Sequence, residues 1–446
     1  MKTFRRIFFW AHLVAGLTAG IAIFIMCFTG AAIAFEGEIV AWSEGDVRRV
    51  TPPAADATRL SLDELQKRVR AANPDARPSG IAVSPDSRAA VAFTLGRDGA
   101  LYANPYTGEV KQRPSPNKVH DFLHAMEDWH RALAMGGDNR PIGKAINGAC
   151  NLAFCFLALS GLYLWWPRSW SWRGFKAIAF VNFRFSGQAR DFNWHNAIGL
   201  WSAPILIVLT LTAVPISYRW GSNLIYRIAG EEPPVPPAPG AGGPAGGGPG
   251  GASAAPAIDI PRPPEGTRPL GYDALLAAVR QAVPDAELIT FRTGGSGQRG
   301  TRAGQAGAPT QAGQPRPEGE PRREASAATG TGESRREGSE PRRAASAVTA
   351  TVKQPGAWPR TATTTLTLDP YTGAILRTEG YADLSTARQI RSWTRFLHTG
   401  QALGWIGQLV AGLACLGGCF LVYTGVALSF RRFFFRKKPA REEAAA

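Results

Sequence analysis

The sequence predicts a membrane protein: a four-helix transmembrane bundle carrying two small α+β modules on one side of the bilayer. Three observations predict it. Four stretches are apolar and long enough to cross a hydrocarbon core of about 30 Å, which takes roughly 20 helical residues. Two connections between them end in almost the same turn, NPYTG in one and DPYTG in the other. All six histidines lie at or just before one of the apolar stretches.

Span one runs from about Leu13 to Phe35, behind Lys2, Arg5 and Arg6. Its apolar run exceeds the roughly 7–15 residues of a secretion signal, and no small-x-small cut site with a polar exit follows, so it reads as retained. Span two runs from about Ala145 to Trp166, span three from Ala197 to Tyr218, and span four from Ala402 to Phe430. None holds an acidic or basic residue, apart from Lys144 at the edge of span two. The chain then divides into 1–35 (tail and first helix), 36–118 (first module) and 119–218 (a histidine-bearing lead-in with helices two and three, joined by a loop at 167–190). The second module takes 219–390, and the fourth helix with a basic tail takes 391–446.

Orientation follows from cations near the helix ends. The N-terminus, the 167–190 loop and the C-terminal tail hold 14 basic residues, among them Arg173, Lys176, Arg184, Arg431 and Arg432. These three pieces share one side of a four-span chain, which predicts N-in and C-in in a bacterial inner membrane. Trp165, Trp166, Trp170 and Trp172 fit an interfacial aromatic belt. The net charge of +16 fits this arrangement better than nucleic-acid binding, and the mean hydropathy of −0.11 averages apolar spans with polar modules. Cys27 and Cys155 lie within apolar runs, and Cys150, Cys415 and Cys419 lie in or beside others. No CxxC occurs, which excludes a disulfide framework and a cysteine zinc site.

The two external connections repeat one pattern. LSLDELQKRVRAANPDARPSGIAV leads to LYANPYTGEVKQRPS, and LGYDALLAAVRQAVPDAELITFRT leads to LTLDPYTGAILRTEG. Each reads as a helix stopped at Pro-Asp, then strands, then a turn in which Pro sets φ and Gly takes a left-handed residue. Residues 231–265 and 294–350 interrupt the second copy with Pro/Gly/Ala-rich and Gly/Arg/Glu/Ser-rich sequence, predicted disordered for lack of aliphatics. No GKS or GxGxxG follows a strand, so no nucleotide or flavin domain is expected.

The histidines sort by side: His12 and His195 inside, His120, His124, His130 and His398 outside. Ionisable groups at the edge of hydrocarbon are functional candidates. Two histidines at one depth on different helices suit the axial positions of a haem iron, given an apolar slot between helices. Gly16, Gly20, Gly199, Gly404 and Gly407 follow the histidines and suit such a slot, although this spacing also serves plain helix packing. Any one histidine alone equally suits an interfacial residue bonded to a carbonyl. His120 and His124 share a helical face and suggest a non-haem metal or a substrate contact, but HExxH is absent. The outer pairing of His398 with His120, His124 or His130 stays open on spacing alone.

At these residues the chain resembles the PepSY-associated transmembrane family. The matching pieces are Trp10, His12, Leu13 and Gly16; DWHRAL at 128–133; GLYLWWPR at 161–168; ARDFNWHNAIGLW at 189–201; and RSWTRFLHTGQALGWIGQ at 391–408. The resemblance implies that the repeats are PepSY-like periplasmic modules and that the chain is an oxidoreductase. Relatives in that family reduce ferric siderophores with b-type haems. Carried over, His12, His130, His195 and His398 become ligands of two haems b, with His124 as the alternative to His130. The implied partners are a ferric siderophore or other Fe(III) chelate, a cytoplasmic reductase or quinol donor, and the lipid bilayer. The outer cations Arg131, Arg140, Arg219, Arg391 and Arg395 would attract an anionic chelate or bind headgroups. The opposing reading is a non-enzymatic, membrane-anchored PepSY binding or peptidase-regulating module.

Overall fold

The computed structural model describes residues 2–54, 56–95, 99–113, 117–167, 171–235, 260, 264, 267–292 and 347–434. In chain order these form α1 (Lys2–Ile33), α2 (Glu36–Ser43), α3 (Gly45–Arg48), α4 (Leu62–Ala72), β1 (Gly80–Val83), β2 (Val91–Thr94), β3 (Ala100–Ala103) and β4 (Val110–Gln112). Next come α5 (Lys118–Ala132), α6 (Arg140–Trp165), α7 (Trp172–Ala179), α8 (Gly187–Ser217), α9 (Arg219–Ile228) and α10 (Tyr272–Ala282). The chain continues with β5 (Leu288–Arg292), β6 (Val348–Lys353), β7 (Thr364–Leu368), β8 (Ile375–Glu379), α11 (Thr386–His398) and α12 (Trp405–Phe434).

Among the described residues, four helices are long and apolar enough to cross a membrane: Thr3–Ile33, Gly137–Trp165, Gly187–Ser217 and Trp405–Phe434. They close a ring in which α1 and α8 each pack against both α6 and α12. Three begin earlier than their apolar stretches, because KTFRRIFFWA, RPIGK and GQARDFNW carry no helix breaker after the first turn. His12 and His195 therefore lie roughly two to three turns inside their helices instead of opening them. The fourth begins later than Ala402. Gly404 takes φ +67 and ends a short 3₁₀ turn, so the α-helix restarts at Trp405.

The strands form one eight-stranded antiparallel sheet in the order β4-β3-β2-β1-β5-β6-β7-β8. The two sequence modules are thus fused edge to edge, with β1 paired to β5 from Gly80↔Arg292 to Val83↔Ile289. Left apart, each half would expose an edge strand with unpaired amides and carbonyls. Alternation puts Ile81, Phe93, Phe291, Val352, Leu366 and Leu368 on one face, under α4 and α10. Burying Phe93 and Phe291 completely contributes about 1.5–3 kcal/mol each. NPYTG joins β3 to β4 and DPYTG joins β7 to β8.

The interruptions predicted at 231–265 and 294–350 lie mostly outside the described residues. The second ends earlier than expected. Val348–Lys353 forms β6 and Ala350 is fully buried, because VTATV alternates small and β-branched residues at the period of a strand.

Sheet and bundle are tied together at α2 and α3. Tyr102 donates its hydroxyl to Glu44 at 3.0 Å, and Gln408 of α12 donates to the Ala34 carbonyl at 3.0 Å and to Glu38 at 3.1 Å. Among the described residues, the order of helices and modules repeats. Helix α1, a module, α5 and α6 are matched by α8, a module, α11 and α12. Aligned without gaps, α1 and α8 superpose His12 on His195, Gly16 on Gly199 and Thr29 on Thr212. Likewise α6 and α12 superpose Gly143 on Gly407, Cys155 on Cys419 and Ser160-Gly161 on Thr424-Gly425.

Candidate functional site

Helix α5 ends at Ala132, capped by Leu133 in the left-handed region, and so presents His130 beside α1. Helix α11 ends at His398 and presents it beside α8. The His130 and His398 rings face each other with centres 6.2 Å apart and planes at 49°. His12 of α1 and His195 of α8 sit at the opposite end of the bundle, against α6 and α12 respectively.

Each imidazole leans on a neighbouring span. His130 donates through Nδ1 to the Met26 carbonyl at 3.0 Å and to Thr29 Oγ1 at 3.1 Å. His398 donates through Nδ1 to the Leu209 carbonyl at 2.9 Å, with Thr212 Oγ1 at 3.4 Å. His195 Nδ1 lies 2.9 Å from Thr424 Oγ1, and His12 Nδ1 lies 2.8 Å from Ser160 Oγ. The four hydroxyls already donate to carbonyls of their own helices: Thr29 to Ile25, Thr212 to Val208, Thr424 to Phe420 and Ser160 to Leu157. They therefore accept from the imidazoles. The proton stays on Nδ1, and Nε2 is the lone-pair nitrogen.

Burial, and then the neighbouring His398, pushes His130 down to about 4. Burial also lowers His398. Both rings are neutral at pH 7, the state a metal requires of an imidazole donor.

A small residue follows each hydroxyl. A Cβ added to Gly30 would stand 3.2 Å from His130 Cε1; at Gly161 it would stand 3.4 Å from His12 Cε1, and at Gly425 3.5 Å from His195 Cε1. Ala213 fills the fourth place. This Ser/Thr-small pair beside a histidine, found in each span, is the feature that the histidine reading missed; among the described residues, Thr18-Ala19 and Ser202-Ala203 have the same pattern but no histidine partner. It was visible as TG, SG, TA and TG inside four apolar runs. The glycines expected to form the slot fall into two groups. Gly16, Gly20 and Gly199 lie against Leu157, Val422 and Leu421 of adjacent helices, while Gly404 and Gly407 shape the turn before α12.

His120 and His124 stay out of the pair. His124 is 61% exposed and sits 3.4 Å from Asp128, which Arg140 also holds at 3.0 Å. His120 lies 3.8 Å from Asp121, and its ring centre is 6.2 Å from that of His124. Among the described residues, no three His, Cys, Asp or Glu gather as a metal site. The arrangement instead offers two-imidazole donor sets, one at each end of a membrane-spanning bundle.

A family model described as the PepSY-associated TM region matches residues 9–432, nearly the whole chain. A comparison with curated proteins returned no match.

Proposed function

The chain belongs to the PepSY-associated TM region family, and from that premise we propose that it is an inner-membrane, haem-carrying reductase of a periplasmic Fe(III) complex. The facing pair His130 and His398 carries this reading. The two rings come from different helices, and each has its Nδ1 tied back to a backbone carbonyl, so Nε2 of each would be left to hold a haem iron. Their ring centres lie 6.2 Å apart. The donor set fits as well: neutral rings, Nδ1 tied back to the protein, and a glycine against Cε1 of His130. When bound, a b-type haem at each pair supplies one-electron chemistry, linking a cytoplasmic reductase or membrane quinol at the His12/His195 end to a ferric siderophore or other Fe(III) chelate at the His130/His398 end.

The chain's own residues do the rest. Met26, Leu209 and the hydroxyls of Thr29, Thr212, Thr424 and Ser160 hold the rings in one orientation. The fused sheet, read as two PepSY-like modules, holds the chelate close to the His130/His398 end. With the basic residues at the His12/His195 end inside, both termini are cytoplasmic.

The experiment is haem per polypeptide with a reduced-minus-oxidised spectrum, on protein made under haem-replete conditions. Two haems are expected. His12→Ala or His195→Ala should remove one of them, and His130→Ala or His398→Ala the other. Wild-type protein without haem would overturn the reductase and leave the binding or peptidase-regulating module.

A further inference from the structure

Arg131 directly follows His130 on α5, and Arg395 lies one turn before His398 on α11. Because the two rings face each other, these guanidiniums are brought to the same end of the bundle, close enough to repel. Arg131 is partly balanced by Glu127 at 2.5 Å, and Glu36 stands near that pair. Among the described residues, Arg395 has no ion pair. Its Nε is enclosed without a hydrogen-bond partner, and its guanidinium carbon lies 5.8 Å from the centre of the Phe396 ring. Two neighbouring cations, one half-buried with its Nε lacking a partner among the described residues, favour an anion between them. A guanidinium fork suits a carboxylate, with two parallel N–H···O bonds.

We infer that Arg395, with Arg131 beside it, docks the propionate carboxylates of the haem held between His130 and His398. This rests on the reading above. A b-type haem carries two propionates on one edge, so a single anionic edge would meet both arginines. The role is orienting: the carboxylate edge fixes how the macrocycle is turned between the imidazoles. It also moves these two arginines from attracting an external chelate to holding the cofactor. A cation here favours the reduced haem, which bears one more negative charge.

The experiment uses the full chain in a His12→Ala background, which leaves the His130/His398 pair to be read alone. Arg395→Leu should speed transfer of haem to apomyoglobin about tenfold, the loss expected of one charge-assisted contact. It should also lower the midpoint potential, with Arg395→Lys in between. Haem dimethyl ester, whose propionates are capped, should leave the wild-type arginine and the leucine variant alike. Equal haem retention and potential for Arg395→Leu and its parent would overturn the inference while the reductase stands. So would wild-type protein that holds the ester as tightly as free haem, a measurement that needs no variant to fold. With the protein first reduced by dithionite, a variant that keeps its haem properties but loses saturable oxidation by an anionic Fe(III) chelate would return Arg395 to the substrate and overturn it too. Absence of haem from the parent and from wild type alike would overturn both readings.

Discussion

Asp63 and Asp273 each cap the helix that carries the other. Asp273 accepts from the amide of Leu62 at 2.7 Å and of Asp63 at 3.2 Å; Asp63 accepts from the amide of Tyr272 at 2.8 Å and of Asp273 at 3.4 Å. The first turns of α4 and α10 thus exchange their capping carboxylates where the two halves of the sheet meet. The exchange satisfies helix amides that would otherwise lack partners, and it places negative charge at two helix N-termini.

Either Asp63→Ala or Asp273→Ala should destabilise the fused sheet by about 1 kcal/mol, the usual size of a lost cap. The pair should be non-additive, since each carboxylate touches the other's helix. Asp273 is held below its ordinary range: burial works against this, but the amides of Leu62 and Asp63 outweigh it. A depressed carboxylate stabilises above its unfolded value of about 3.9 and loses that contribution as pH falls through the folded value. Thermal unfolding of the purified protein should therefore show less acid sensitivity below about pH 4 in Asp273→Ala than in wild type.

Ser160→Ala should weaken haem retention at the His12/His195 end more than Thr29→Val does at the His130/His398 end. Among the described contacts, Ser160 alone holds His12, whereas His130 keeps the Met26 carbonyl when Thr29 goes. Losing such an orienting partner costs about 10–100-fold in metal affinity, with Thr29→Val at the low end. Haem loss rates of the two variants, read by difference spectroscopy, check the order.

Gly30→Val should abolish the site at the His130/His398 end, while Gly425→Ala is tolerated. A Cβ at Gly30 already crowds His130 at 3.2 Å, and valine adds two methyls that displace the ring. At Gly425 the Cβ meets His195 at an ordinary 3.5 Å, and the aligned position in α8 already carries an alanine, Ala213. Haem stoichiometry distinguishes the outcomes.

Deleting residues 295–346 should leave folding and haem content unchanged. Arg292 and Thr349 are already paired neighbours in β5 and β6. The deletion leaves Thr293, Gly294, Ala347 and Val348 between them, enough for a hairpin loop. Loss of folded protein from the membrane would count against it.

A reporter fused after Ala446 should be active only on the cytoplasmic side, with one inserted in 36–118 active outside. The reverse pattern would invert the proposed electron path.

The four spans were legible because a helix in lipid must satisfy its backbone internally and bury apolar side chains along its whole length. The repeated NPYTG and DPYTG turns were legible because Pro and Gly act locally. The four histidines were legible because polar residues at the edge of hydrocarbon stand out. Their orienting partners were not, although Thr29-Gly30, Ser160-Gly161 and Thr424-Gly425 stood in plain view. A hydroxyl inside a helix usually bonds its own backbone, and only a neighbouring imidazole gives it a second role.

The sequence by itself determined the spans, the repeated turns and the polar residues set into the spans. Each follows from periodicity or from the chemistry of one short segment. Only the tertiary structure decided that His398 faces His130 and not His124, that β1 and β5 join two modules into one sheet, and that Asp63 and Asp273 trade helices. Those relationships link residues 200 or more positions apart in the sheet and its caps, and 268 apart for the two rings. At such separations no local pattern distinguishes one partner from another. The choice falls to packing: α5 ends beside α1, α11 ends beside α8, and an edge strand pairs with the one edge within its reach.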